Sequence, residues 1–472
     1  MSAENPSMLP AQRFDAAGRP HVDLRAIFRL AAPLMATNAV QALLNLTDLW
    51  FIGRLSTDAL AAMSSIYWIV TCAILLFGGV GLAVQTFVAQ AFGSRRGAHA
   101  SRALWNAVWA SFAMIPALLG LAWAGPYLLK PVGLPAQVEQ LALEYWEPRM
   151  AGAFLALLAW AAMGFFNGIS AVRFTMAIVV VTTIANAFFN QLFMFELDMG
   201  MRGAAWGTNA AQLVGVILAM VCFLRGDVGA RYRSRLMWRP CWSVIRAQLR
   251  VGLPVGVMYG ADVLGVALMQ MMIATTGAVG GAATQIVMAL TSLAYMPTIG
   301  VALAGTTLVG QSIGAGSREW ANRMGNVVIA LCVALMAMVA VFLLLVGPWL
   351  LPLFVGAGDA SADDVVALGL VLLWPAAAYQ VFDGFYCGSG FCLRGAGDTR
   401  VPAVTALVLS WFFFVPLAHT LIFPPGGGWI DGLPQFGLGA RGGWFALMSY
   451  VVLLGSAMFW RWRHGAWRGI RI

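Results

Sequence analysis

Asp48, Asp262 and Asp383 each stand inside a stretch that is otherwise apolar for the length of a bilayer crossing. An ionised carboxylate near mid-membrane costs roughly 2.5–3.5 kcal/mol on insertion scales, so such groups face a wet cavity and bind a cation or relay a proton. Their neighbours suit that chemistry. Asn38, Gln41, Asn45 and Asp48 recur at helical spacing and share one face, with Ala, Val and Leu opposite. That stripe reads as cavity lining, or as hydrogen bonding between packed helices. Asn186 and Asn190 lie one turn apart after Thr182 and Thr183, with amides suited to bonding Asp48 and tuning its proton affinity. Tyr379 precedes Asp383 by four residues, and Tyr386 follows a turn later. Oxygen ligands suit hard cations. If Asp262 approaches Asp383, two carboxylates and the Tyr379 phenol suffice for sodium, whereas two close acids can instead share a proton. Tyr67, Trp68, Tyr295 and Tyr386 are candidates to line a substrate cavity with ring faces, the alternative being interface anchoring or packing.

The elements that must hold these residues are membrane helices. Of 472 residues, 61% are apolar and 10% charged, with a mean hydropathy of +0.81. A soluble protein has about 25% charged residues. Twelve apolar runs of about 20 residues or more follow one another, from 26–52 to 440–462. The alternating ten-residue strands of a membrane barrel are not seen. If the termini and every second loop lie on one side, all but five of the 28 Lys and Arg fall there; the five are Arg54, Lys130, Arg149, Arg202 and Arg441. That bias predicts both termini in the cytoplasm, and makes the +9 net charge a matter of membrane orientation rather than nucleic-acid binding. The six cysteines form no CxxC and read as small buried residues, not metal ligands. No GxxxxGK[ST] loop is present, so ATP is not the expected energy source, and no enzyme signature is found.

The chain repeats itself. At an offset of 221 positions Arg29 falls on Arg250, Pro33 on Pro254, Gln90 on Gln311 and Arg102 on Arg323. Residues 79–93, GVGLAVQTFVAQAFG, match 300–314, GVALAGTTLVGQSIG, at 8 of 15 positions. Six spans per half make these parallel repeats. The expected fold is therefore an all-α integral membrane protein of 12 transmembrane helices, in two pseudo-symmetric six-helix bundles around a central cleft. Its expected parts are a mobile tail (1–25), an N-lobe (26–225), a linker (226–249), a C-lobe (250–463) and a short tail (464–472). Asp262 aligns with Gln41 and Asp48 with Met269, so the acids are not copies of each other. Pro33 and Pro254 each lack a backbone donor and loosen their helices. In the turn 394–400, Asp398 is placed to cap the next helix, and the Gly-rich stretch 424–443 reads as a flexible outer loop.

These motifs, in order, resemble the multidrug and toxic compound extrusion (MATE) family over roughly residues 25–465. Asn45-Leu-Thr-Asp48-Leu-Trp-Phe-Ile-Gly53-Arg54-Leu is similar to that family's D-x-x-F-x-G-R-L-G pattern, and Val88–Gly93 with Val309–Gly314 to its paired A-Q-x-x-G turns. Gly252-Leu-Pro254 followed by Asp262, and Tyr379-Gln-Val-Phe-Asp383 with the 394–400 turn, resemble the seventh and tenth spans of the NorM-like branch. The resemblance implies a C-lobe cation site of Asp262, Tyr379 and Asp383, and an N-lobe site of Asp48, Asn186 and Asn190, with Asn45 and Gln41 alongside. Asp262 stands where the branch usually has Glu, an arm one methylene longer. The implied activity is a secondary antiporter of the bacterial inner membrane, acting as a monomer without cofactors. It would exchange organic, cationic and amphipathic compounds for inward protons or sodium ions. The rivals are a lipid-linked oligosaccharide or lipid flippase of the same superfamily, an exporter of one metabolite, and a channel. A flippase needs cavity cations for phosphate, and no Lys or Arg is expected at mid-span.

Overall fold

The computed structural model describes residues 9–130, 133–354, 362–430 and 432–470. Among the described residues ten helices are long and apolar enough to cross a membrane, and two bent pairs each supply one more. The first half contains α1 (Leu24–Gly53), α2 (Thr57–Gly93), α3 (Gly97–Trp123), α4 (Ala136–Ala151 continued by Ala153–Gly168), α5 (Val172–Glu196) and α6 (Gly200–Leu224). The second contains α7 (Trp242–Thr276), α8 (Ala278–Gly314), α9 (Arg318–Phe354), α10 (Ala362–Ala396), α11 (Arg400–Ile422) and α12 (Gly439–His464). The expected twelve-helix fold is thus observed.

Two irregularities shape the lobes. α4 bends by 48° at Gly152, four residues after Pro148, whose missing N–H and bulky ring interrupt the helical ladder. A β-carbon on Gly152 would lie 2.1 Å from the Asn209 amide, so only glycine lets α6 approach there. Within α11, residues 409–414 form a π-helical stretch, a distortion frequent at functional sites. It turns Ser410 Oγ to the Ala261 carbonyl at 3.2 Å, and stacks Phe414 on Tyr450 of α12 at 5.0 Å between ring centroids.

The lobes meet along α2, α7 and α8, at the end of the bundle that carries both termini. Gly79 lies so close to α7 that a β-carbon would fall 2.2 Å from the Gly252 carbonyl oxygen. Small residues let membrane helices approach to backbone contact. A set of hydrogen bonds related by the internal repeat joins the lobes. Thr86 Oγ1 and Gln90 Nε2 on α2 donate to the carbonyls of Arg394 (2.9 Å) and Gly395 (3.1 Å), in the last turn of α10. Their repeat partners Thr307 and Gln311 on α8 donate to the carbonyls of Asn167 (3.1 Å) and Gly168 (2.8 Å), which end α4. Carbonyls in a last helical turn lack intrahelical partners. Each lobe therefore satisfies the other's helix ends. Gln85 adds bonds to Leu303 O and Thr307 Oγ1, and receives Arg394 Nη2 at 3.5 Å.

Loops depart from expectation at three places. Within residues 1–25, read from sequence as a tail, Gln12–Phe14 and Pro20–Val22 pair as an antiparallel hairpin. Trp320 Nε1 of α9 donates to Pro10 O at 2.9 Å, tying this hairpin to the opposite lobe. Asp398 does not cap α11; its carboxylate accepts from Arg461 Nε at 2.9 Å in a mostly buried ion pair. The Gly-rich stretch 424–443 is folded back on the end of α11, with Phe436, Gly437 and Leu438 N–H donating to Thr420, Phe423 and Leu421 carbonyls. His419 Nε2 accepts from Ile430 N–H at 3.1 Å.

Candidate functional site

Each lobe holds a carboxylate fixed by neutral donors. Asp48, five residues before the end of α1, accepts from Asn186 Nδ2 at 2.9 Å and Asn190 Nδ2 at 2.7 Å on one oxygen. Thr208 Oγ1 of α6 lies 3.5 Å from the other. Both asparagines are fully buried on α5, where the one-turn spacing aims both amides at one acceptor. Asn190 Oδ1 is buried without a donor among the described residues, an acceptor beside Asp48 for a cation or a proton donor. Gln41 and Asn45 are exposed, and Asn38 donates back to Leu34 O of its own helix at 2.9 Å. The polar stripe of α1 therefore reaches this network only through Asp48.

In the other lobe, Asp262 of α7 is gripped by two phenols. Tyr386 Oη donates to Oδ2 at 2.7 Å, and Tyr450 Oη donates to Oδ1 by a short hydrogen bond. Asp383, on α10 one turn before Tyr386, is half-buried within electrostatic reach of Asp262. Tyr379 lies within electrostatic reach of Asp383, but its hydroxyl bonds Thr291 and its ring packs near-parallel to Trp444 at 6.2 Å. Asp383 thus stands between Tyr379 and Asp262 within electrostatic reach of both, and the phenols bonded to Asp262 itself are Tyr450 and Tyr386, the latter expected in a substrate cavity.

The remaining aromatic candidates divide between the lobes. Tyr67 packs edge-to-face on Trp68 at 5.2 Å, within electrostatic reach of Asp48. Tyr295 accepts from Cys387 Sγ at 3.0 Å, near Asp383.

Three residues of the site are not evident from sequence. Tyr450 lies in an apolar run with no acid nearby, and its only signal is a lone phenol at mid-span. Thr208 belongs to a polar pair with Asn209 inside the α6 run. Arg149 reads as a loop charge, but the structure corrects this. It lies in α4 thirteen residues after Ala136, 8% exposed, with Nη1 on Asn209 Oδ1 at 2.9 Å and Gln212 Oε1 at 3.4 Å. Arg394 is a second buried cation, its guanidinium 4.5 Å over the Phe391 ring. The expectation of no mid-span Lys or Arg therefore fails at Arg149, while Arg394 lies in the last turn of α10.

A family model described as MatE matches residues 33–192 and 254–420, one stretch per lobe. A probable multidrug resistance protein NorM of Mesorhizobium japonicum is 28% identical over 462 residues, covering 93% of each chain. The protein of the same description from Burkholderia pseudomallei is 29% identical over 463 residues, covering 94% of this chain and 93% of its own. Among solved structures, a MOP superfamily transporter from Pyrococcus furiosus, described as having a binding pocket of reverse polarity, aligns with a TM-score of 0.79 at 21% identity, over 94% of this chain and 96% of that one. An outward-facing multidrug resistance MATE family transporter aligns with a TM-score of 0.77 at 21% identity, over 93% and 94%.

Proposed function

The chain belongs to the MatE family of membrane transporters, and on that premise we propose that it is a secondary antiporter that expels organic, cationic and amphipathic compounds in exchange for inward protons or sodium ions. The observation that carries this reading is the pair of half-buried carboxylates, one per lobe, each held by neutral donors. A group held this way can gain or lose a cation without rebuilding its surroundings. The relatives' description as multidrug resistance proteins supports the cargo class. The basic loops favour an orientation with the closed, terminus-bearing end in the cytoplasm of a bacterial inner membrane, the chain working as a monomer. In that orientation the interlobe bonds close the cytoplasmic side.

Ion binding at Asp48 or at the Asp262 and Asp383 pair would shift the equilibrium between inward- and outward-open states by its differential affinity for the two. One inward unit charge supplies about 2.3 kcal/mol per 100 mV, enough for roughly a fiftyfold gradient of a neutral cargo; one-for-one exchange against a monovalent cation is electroneutral and draws on the ion's concentration gradient instead. Reconstituted protein should expel a lipophilic cationic dye when a sodium or a pH gradient is imposed alone, and Asp262→Asn should lose that response. Export driven by neither gradient, or full activity in Asp262→Asn, would overturn the proposal.

A further inference from the structure

Arg149 is a cation held inside the N-lobe without an ion-pair partner. Among the described residues its guanidinium meets neutral acceptors, Asn209 Oδ1 and Gln212 Oε1, and the Tyr145 hydroxyl. The nearby acid on its own helix, Glu147, is exposed and lies 3.6 Å from Arg202. Of the elements packed around it, α1 offers Asp48, α2 offers Tyr67, and α6 offers amides. Among the described residues Asp48 is the acid shown within electrostatic reach of this charge, the two being joined through neighbouring residues of α6, Asn209 on Arg149 and Thr208 on Asp48. The guanidinium is also fixed in place. Asn209, which receives it, donates in turn to Pro148 O at 2.7 Å and packs against Gly152, so the bend in α4 and the polar pair on α6 lock it. A buried Arg at this depth is expensive, and polar anchoring of the bend needs no full charge.

We propose that Arg149 determines charge selectivity as the resident counter-charge of the N-lobe site. With Asp48 ionised the site is neutral overall. Once a proton or cation neutralises Asp48, the site carries a net positive charge, and a cationic cargo is pushed out. This deepens the antiport reading and rests on it, because it supplies the step by which ion entry drives cargo release. The repulsion is electrostatic, acts at a distance, and needs no contact between Arg149 and the cargo.

The test uses two probes of one shape and opposite charge, tetraphenylphosphonium and tetraphenylborate, bound to purified full-length protein. Arg149→Gln and Arg149→Met should each tighten tetraphenylphosphonium and weaken tetraphenylborate, by about tenfold in each direction. Arg149→Lys should stay near wild type. Asp48→Asn should weaken the cation, and adding Arg149→Gln should restore it. A purely structural role would move both probes the same way, and that result would overturn the proposal, as would shifts below about twofold. Arg149→Met keeps the stem's packing if the amide variant fails to fold. The readout is equilibrium binding, so failure of gradient-driven export in wild type is a separate outcome that strikes the antiport reading instead.

Discussion

Asp48 and Asp262 are held by different chemistries, two amides and a hydroxyl in one case and two phenols in the other. A hydrogen bond to a charged group contributes about 1.5–3 kcal/mol. Tyr450→Phe and Tyr386→Phe should therefore each slow gradient-driven export by about tenfold or more. Tyr379→Phe, whose hydroxyl serves Thr291, should stay within about threefold. Export rates in proteoliposomes, with helical content as the folding control, check this; equal damage from Tyr379→Phe would show that this phenol reaches an acid during transport. Helical spacing alone makes Asn186 and Asn190 legible as partners for Asp48, because two amides one turn apart must share a face. It cannot reveal Tyr450, Thr208 or the bonding of Tyr379 to Thr291. Those depend on how α6, α8, α10 and α12 are rotated against their neighbours, which no single helix encodes.

At the scale of elements, the repeat is plain in the sequence, but its use is not. Gln90 and Gln311 are visible as copies, yet their acceptors are main-chain carbonyls of helix ends, which carry no residue signature. Thr307→Val with Gln311→Leu removes two of these bonds, together with those from Gln311 to Ser170 and from Gln85 to Thr307, and leaves the Gly168 carbonyl of α4 without a donor, while Asn167 O keeps the Ser170 N–H. At about 1 kcal/mol each, the closed arrangement should lose about tenfold or more in population. Spin labels at Ser94 and Ala315, in the adjoining loops, should then report longer distances in a larger fraction of molecules. An unchanged distance distribution would mean that glycine packing, not these bonds, holds the end shut. The π-helical stretch of α11 is likewise invisible to apolar periodicity, since one extra residue in a turn leaves the run apolar throughout.

The whole molecule is two related lobes with unrelated equipment. Asp262 sits at the repeat position of Gln41, and Asp48 at that of Met269, so the symmetry extends to the latch but not to the charges. Twelve spans are readable from hydropathy because each crossing must be long and apolar. The hairpin at residues 12–22 is not, because its three-residue strands are polar and its anchor lies in the other lobe. Trp320→Phe deletes the indole donor to Pro10, a loss of about 1 kcal/mol. Trypsin should then cut after Arg13 about fivefold faster, with export nearly unchanged; unaltered cutting would assign the docking to apolar contact alone. That anchor also sets an order of events during synthesis. Pro10 leaves the ribosome 310 residues ahead of its partner. The hairpin must therefore wait, undocked, while eight helices enter the bilayer, and its seating becomes a late mark that the second half has arrived in register with the first.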